Sequence, residues 1–292
     1  VRLIRPLLRA AAGFALALTA ATSALAAPPF WAVRDADSTI YLFGTMHVLT
    51  ADADWRTPAF DKALAESTQV WFEMDSDTAP ETLARLVVQL GVDRKTPLAR
   101  KVSPKTMAAL RAAVKDQPKL AEMIEQMHPW TAAMMIQALP MMKAGMQAET
   151  GADQALTRDA KAGAKTVRYF ETPEDQLRFF ADLPLKVQVQ MLEDSLDAAD
   201  ETPEETRETQ AAWISGDIDR LGDKVVSQMR RQRPALYDAL VRRRNAAWVK
   251  VLEAEMAGQG TAMVNVGALH MVGRDGLVVQ LRKRGFKVDR LQ

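Results

Sequence analysis

The 292-residue chain contains no cysteine. That absence excludes disulfides, thiolate metal sites, a cysteine nucleophile and the lipidated cysteine of a bacterial lipoprotein anchor. Histidine is almost as scarce, with three residues, so any histidine-based site has few possible members. Basic excess is also missing. Of the 38 Lys and Arg residues, three fall within residues 1–26, a stretch with no acid, which leaves 35 against 37 acidic residues and a formal charge of −2 over 27–292. No cluster of arginines and aromatics remains to form a nucleic-acid groove, so nucleic acid is not an expected partner. Long apolar runs are absent as well. The run from Ala10 to Ala21 has 12 residues, short of the roughly 20 that a spanning helix needs.

That short run has a different meaning. Arg2, Arg5 and Arg9 precede it and Ala24-Leu25-Ala26 follows it, the arrangement of a secretory signal peptide cleaved after a small-x-small site. The reading is a cleavable signal peptide over 1–26 and a single domain over 27–292, exported to a periplasm, with secretion as the alternative. No transmembrane segment is expected after cleavage. About 266 residues can enclose a sizeable core without disulfides.

The pattern along 27–292 predicts strands at both ends and mostly helices between, interrupted by a strand from Thr166 to Phe170 with Glu171 just beyond it. Phe30-Trp31-Ala32-Val33 and Thr39-Ile40-Tyr41-Leu42-Phe43 read as a hairpin, and Gln69 to Asp75 as a buried strand emerging at carboxylates. Ser103-Pro104, Thr172-Pro173-Glu174-Asp175 and Thr202-Pro203-Glu204-Glu205 carry helix-start chemistry: a hydroxyl cap, proline in the first turn, then in the latter two acids facing the positive helix end. The stretch containing Met134, Met135, Met141 and Met142 fills core space or lines a groove. Ala262 to Val266 is a strand, Leu277 to Arg284 a helix and Phe286 to Val288 a closing strand. The expected fold is α/β, with a mixed central sheet formed by N- and C-terminal segments and a large helical middle region inserted at about 79–257.

Two of the three histidines share one local setting: an apolar strand, glycine, two residues, histidine. These are Gly44-Thr45-Met46-His47 and Gly267-Ala268-Leu269-His270. Gly44 and Gly267 let each strand turn sharply or approach a ligand closely, aiming an imidazole at the strand-end cleft. Core histidines bonded to carbonyls are the alternative reading, and for His128, beside Pro129-Trp130, a structural helix cap is preferred. Glu73 ends an apolar strand, where an unpartnered carboxylate would be costly. His47, His270 and Glu73 make a two-nitrogen, one-oxygen set that can bind a divalent ion and leave a position for water. One glutamate cannot be both fixed ligand and free base, so Asp75, on the same face if the strand continues, is a second catalytic candidate. Asp153, Glu171, Arg244 and Asn245 are candidates for substrate contact. Helix capping competes for Asp153, and first-turn electrostatics for Glu171.

These residues lie within a chain-wide set of landmarks: YLFGTMH at 41–47, VWFEMD at 70–75, GAD at 151–153, YFETPEDQ at 169–176, WISGD at 213–217, RRNAAW at 243–248 and VGALHMVGRDGL at 266–277. In this order the chain resembles the TraB/GumN family, related to the Tiki metalloproteases and more distantly to the erythromycin esterase/ChaN-like group. The resemblance implies metal-dependent peptidase chemistry centred on His47, His270 and Glu73, with Mn2+ or Co2+ as the metal. Zn2+ is compatible with the same ligands. A peptide or protein substrate is expected, with a metal-dependent esterase or a noncatalytic periplasmic binding or assembly protein as alternatives.

Overall fold

The computed structural model describes residues 27–217 and 222–292. The signal-peptide reading of 1–26 lies outside the described residues.

The N-terminal hairpin forms as its sequence demands. β1 (Phe30–Arg34) and β2 (Ser38–Thr45) pair antiparallel from Phe30↔Phe43 to Arg34↔Thr39. The Asp35 carboxylate closes the turn by accepting the Ser38 N–H at 2.8 Å, the local bonding that makes aspartate a turn residue. β3 (Leu49–Thr50) pairs with β5 (Met146–Gln147) in a separate ribbon. β4 (Gln69–Phe72), β6 (Thr166–Tyr169), β7 (Gly260–Gly267) and β8 (Lys287–Arg290) complete the main sheet, whose order is β6-β4-β7-β2-β1-β8. The four strands β6, β4, β7 and β2 run parallel, and β1 and β8 continue antiparallel beyond β2. N- and C-terminal strands therefore share one mixed sheet. β6 joins its edge although it lies inside the helical middle region.

Alternation along the strands sends side chains to two faces. Trp31, Val33, Ile40, Leu42, Trp71, Val264 and Val266 meet the helices Arg243–Met256 and Leu277–Lys283 through Trp248, Leu252 and Leu277. Phe30, Phe43, Val70, Phe72 and Met263 meet Phe60, Leu156 and Trp213 on the other side. Those residues belong to helices Pro58–Glu66, Ala152–Ala162 and Pro203–Ile214. A third cluster, around Trp130, Ile136 and Leu192, joins helices Pro129–Lys143 and Leu185–Asp197. Within it the methionine-rich stretch divides: Met134 packs on the cluster, while Met135 and Met142 are exposed.

The helix starts follow the capping chemistry. The Ser103 hydroxyl accepts the Thr106 N–H at 3.0 Å. Thr172 with Asp175, and Thr202 with Glu205, form reciprocal capping boxes. Helices Pro80–Gly91 and Pro118–Ile124 begin with proline but have no side-chain cap bond.

Candidate functional site at the parallel strand ends

In a parallel sheet the C-terminal strand ends share one edge, where ligand crevices open. Here β2, β4, β6 and β7 all end at that edge, and each delivers one polar residue just beyond it. β2 and β7 are in register at Thr45↔Gly267, which sets the two glycine-histidine turns side by side. Beyond β4 and β6 the Glu171 N–H donates to the Glu73 carbonyl at 2.9 Å, setting those two glutamates side by side.

Close backbone approach explains the glycines. A Cβ on Gly44 would lie 3.0 Å from the Ala268 Cα, and one on Gly267 would lie 3.3 Å from both Glu73 Oε1 and His47 Nε2. Gly151 matters more. A Cβ there would meet the His47 carbonyl oxygen at 2.1 Å, so glycine is required for the loop before helix Ala152–Ala162 to pack on the first histidine turn. That loop is tied down by the Ala152 N–H, which donates to the Met46 carbonyl at 3.0 Å.

The packing carries Asp153 to His47. Its Oδ1 accepts the Thr45 hydroxyl at 2.8 Å and its Oδ2 lies 2.7 Å from His47 Nδ1. Asp153 makes no capping bond to its own helix. Its charge raises the His47 pKa to about 9, although the imidazole is 62% exposed and partly screened by solvent.

His270 is held differently. Asn245 Nδ2 donates to the His270 carbonyl at 3.0 Å and to the Asp275 carbonyl at 2.8 Å, which fixes the amide so that Oδ1 faces His270 Nδ1 at 2.6 Å. Nδ1 must then be the donor, and Nε2 carries the lone pair. Burial lowers the His270 pKa to about 3, so the ring is neutral at pH 7. Trp248 packs on it with centroids 4.5 Å apart, and Phe170 and Trp71 continue the row of rings.

Glu73 lies between the histidines. Its Oε1 accepts the Gly267 N–H at 2.7 Å and stands 4.0 Å from His47 Nε2 and 3.8 Å from His270 Nε2. Its Oε2 accepts from Arg244 Nη2 at 2.6 Å and Gln176 Nε2 at 3.1 Å. Burial opposes ionisation of Glu73, but Arg244, His270, His47 and the Gly267 N–H outweigh it and hold the carboxyl well below the usual range. Glu171 accepts from Arg244 Nε at 2.8 Å, Arg244 Nη2 at 2.7 Å, Trp248 Nε1 at 3.0 Å and Gln176 Nε2 at 3.1 Å. Burial raises its pKa, against the pull of Arg244.

The structure therefore brings together His47, Glu73, His270, Asp153, Glu171, Arg244 and Asn245. Asp75 stands apart. β4 ends at Phe72, so the extended pairing that would carry Asp75 onto the Glu73 face stops short. Asp75 instead accepts the Tyr169 hydroxyl at 3.0 Å. His128 occupies the cap position of helix Pro129–Lys143, with Lys101 and Asp93 as charged neighbours. Three contributors were not singled out from sequence: Thr45, which steadies Asp153; Gln176, which bridges both glutamates; and Gly151. A glycine two residues before a site carboxylate was the available signal.

A cavity of about 290 Å3 opens over this cluster. His47, Glu73, Asp153, Gln154 and Gln176 form its polar floor, and Phe72, Met74, Leu83 and Ala148 its apolar wall. Arg244, Asn245, Glu171 and the buried His270 do not line it. They stand behind the floor.

The donor set suits a divalent ion. Two imidazole Nε2 atoms and one carboxylate oxygen face each other, and each ring's other nitrogen has an acceptor, the outer-sphere arrangement that orients metal-binding histidines. Glu73, Glu171 and Asp153 set three carboxylates against the Arg244 and His47 cations and leave the cluster net negative, and His47 must release its proton before Nε2 can hold an ion. Among the described residues no group of three or more His, Cys, Asp or Glu is already closed to ion-holding distance. Tetrahedral ligands around a ~2.1 Å bond length sit ~3.4 Å apart, so the gaps beside Glu73 Oε1 must close by about half an ångström. Arg244 Nη1, 3.1 Å from His270 Nε2, must also give way.

Fold and site together define an α/β protein with a histidine-carboxylate cluster at the parallel edge of a mixed sheet. The chain belongs to the TraB/PrgY/gumN family, whose model matches residues 29–290. It is 26% identical over 242 residues to the uncharacterized protein YbaP of Escherichia coli (strain K12), covering 83% of this chain and 87% of that protein. The YbaP of Shigella flexneri matches to the same extent. No solved structure matches the chain.

Proposed function

We propose that this protein is an exported, metal-dependent hydrolase acting on peptide bonds. One observation carries the reading: the His47 and His270 Nε2 atoms both face Glu73 Oε1, at 4.0 and 3.8 Å, while Asp153 and Asn245 hold the opposite ring nitrogens. His47 Nε2, His270 Nε2 and Glu73 Oε1 would hold the ion, with Mn2+ or Co2+ expected from the Tiki resemblance and Zn2+ compatible with the same donors. When bound, such an ion lowers the pKa of water and polarises a carbonyl.

The chain's own residues supply the rest. Asp153 and Asn245 fix the two imidazoles, and Gln176 and Arg244 hold Glu73 by its second oxygen. The apolar wall of the cavity keeps bulk water from one side of the substrate. In peptide hydrolysis the water oxygen bonds to the carbonyl carbon, the C–N bond breaks, and a water proton passes to the leaving nitrogen. Asp153 is the other carboxylate lining the cavity besides Glu73, which makes it a nearer candidate than Asp75 for handling the proton. Ester cleavage needs the same water activation and is a competing substrate class.

Another observation favours a noncatalytic binding site. Arg244 Nη1 already donates toward the His270 lone pair at 3.1 Å, so the cluster can be satisfied without an ion. Anaerobic metal analysis combined with peptide-library cleavage by wild type and His270→Ala separates these readings. The hydrolase reading expects stoichiometric metal and metal-restored cleavage lost in the variant. Bound metal without turnover on peptides or esters would remove the enzyme claim, and no specific metal in the folded protein would remove both. Export is tested separately by N-terminal sequencing of the protein recovered from the periplasm, with Ala27 expected first.

A further inference from the structure

The cavity over the cluster has two characters, and excluding water does not by itself account for its apolar side. Phe72, at the end of β4, is 2% exposed and belongs to the core. Met74 and Leu83 are half-buried and Ala148 is exposed, so each leaves apolar surface facing the cavity. Leu83 projects from helix Pro80–Gly91, where Gly91 is the only fully buried residue. The apolar face Leu83, Leu86, Val87 and Leu90 is thus half-covered along the helix. Uncovered apolar surface beside convergent polar groups is the composition of a small-molecule or side-chain subsite.

Size and charge narrow the occupant. At about 290 Å3 the cavity sits at the lower end of the ~300–1,000 Å3 range of ligand pockets, suited to one side chain with its flanking backbone. Among the described residues lining it there is no Lys or Arg, whereas Glu73 and Asp153 present carboxylates. An acidic substrate group placed against the Phe72, Met74, Leu83 and Ala148 wall would be desolvated without a partner there. An aliphatic group would bury surface against Met74 and Leu83, gaining roughly 25 cal/mol per Å2.

We propose that this cavity is a specificity pocket for an uncharged, flexible apolar side chain of leucine or methionine size, adjacent to the bond presented to His47, Glu73 and His270. Leu83 is its selecting residue. The proposal rests on the hydrolase reading for the identity of that bond, but the pocket itself is testable by binding.

Met74 supplies the probe. In protein labelled with 13C at the methionine methyls, N-acetyl-leucinamide should shift the Met74 signal saturably, in metal-free and Mn2+-loaded samples alike. N-acetyl-glycinamide and the α-amide of N-acetyl-aspartic acid should bind about tenfold more weakly or less, the discrimination that small apolar differences achieve in a pocket. Leu83→Asp should erase the leucine preference while circular dichroism stays unchanged, and Leu83→Ala should reduce it. Equal affinity for the three probes, no Met74 shift, or a leucine preference that survives Leu83→Asp would overturn the proposal. Leucine-selective binding without cleavage of any peptide keeps the pocket and removes the hydrolase reading. Metal-dependent cleavage with no apolar preference does the reverse.

Discussion

Replacing Arg244 with methionine keeps much of the side chain's apolar stem but removes the cation from between two buried carboxylates. Arg244 donates to Glu73 at 2.6 Å and to Glu171 at 2.8 and 2.7 Å, and its side chain is 9% exposed beside partners at 8%. Breaking a buried ion pair by removing one partner costs about 3–5 kcal/mol, because the remaining charge is left unpaired. Against a total of about 5–15 kcal/mol for a domain, that loss is large. Urea denaturation of metal-free protein at pH 7 measures it directly. The pH dependence adds a second check. In the wild type, Glu73 titrates below its unfolded value, so its contribution is present above about pH 4.3 and is lost as the pH falls further. In Arg244→Met the unpaired carboxyls titrate above about 4.3, and stability is regained as the pH falls from 7 toward that value. The two stability curves should therefore converge on acidification. A loss below about 1 kcal/mol at pH 7, or a gap that does not change with pH, would refute the picture of Arg244 as the counter-charge of the cluster.

Other perturbations test the supporting structure. Gly151→Ala places a methyl group against the His47 carbonyl, and the overpacking should cost about 1–3 kcal/mol in thermal or urea unfolding. It should also loosen Asp153, so an NMR titration should find the His47 pKa below about 9 and closer to 6.5. Trp213→Phe removes the 2.7 Å bond from the indole to the Gly44 carbonyl. A destabilisation of about 1–3 kcal/mol is expected from the orphaned carbonyl, and a change within error would show that water replaces it. Thr172→Ala and Thr202→Ala should each cost about 1 kcal/mol. They cap different helices, so the double variant should show the sum within about 0.5 kcal/mol.

Much of this architecture was legible because short-range chemistry marks it. Asp35 announces the hairpin turn, the threonine-proline-acid strings announce two capped helices, and the continuous apolar runs of β1 and β2 announce a sheet covered on both faces. The glycine-histidine turns and Glu73 were legible for the same reason: each breaks an apolar strand with a residue that burial alone would not choose. What sequence left open depends on long-range packing. Asp153 is two residues into a helix, where capping is the ordinary expectation, and only the contact of Gly151 with His47 turns its carboxylate elsewhere. Arg244 and Asn245 read as contacts for a substrate, yet the fold buries them behind Glu73 and His270. The stop of β4 at Phe72, which strands Asp75 beside Tyr169, has no strong local breaker. The strand from Thr166 and Glu171 just beyond it were legible, but periodicity does not reveal that this strand takes the sheet edge beside β4.

The central claim is that His47, Glu73 and His270 converge to hold one divalent ion. Titrating metal-free protein with Co2+ under anaerobic conditions, followed by its visible absorption and by calorimetry, tests it most directly. The account predicts one equivalent bound with a ligand-field spectrum of nitrogen and oxygen donors, lost in His270→Ala and weakened in Asp153→Asn, with both variants folded. Absence of saturable binding in folded wild-type protein, or equal binding in His270→Ala, would contradict it.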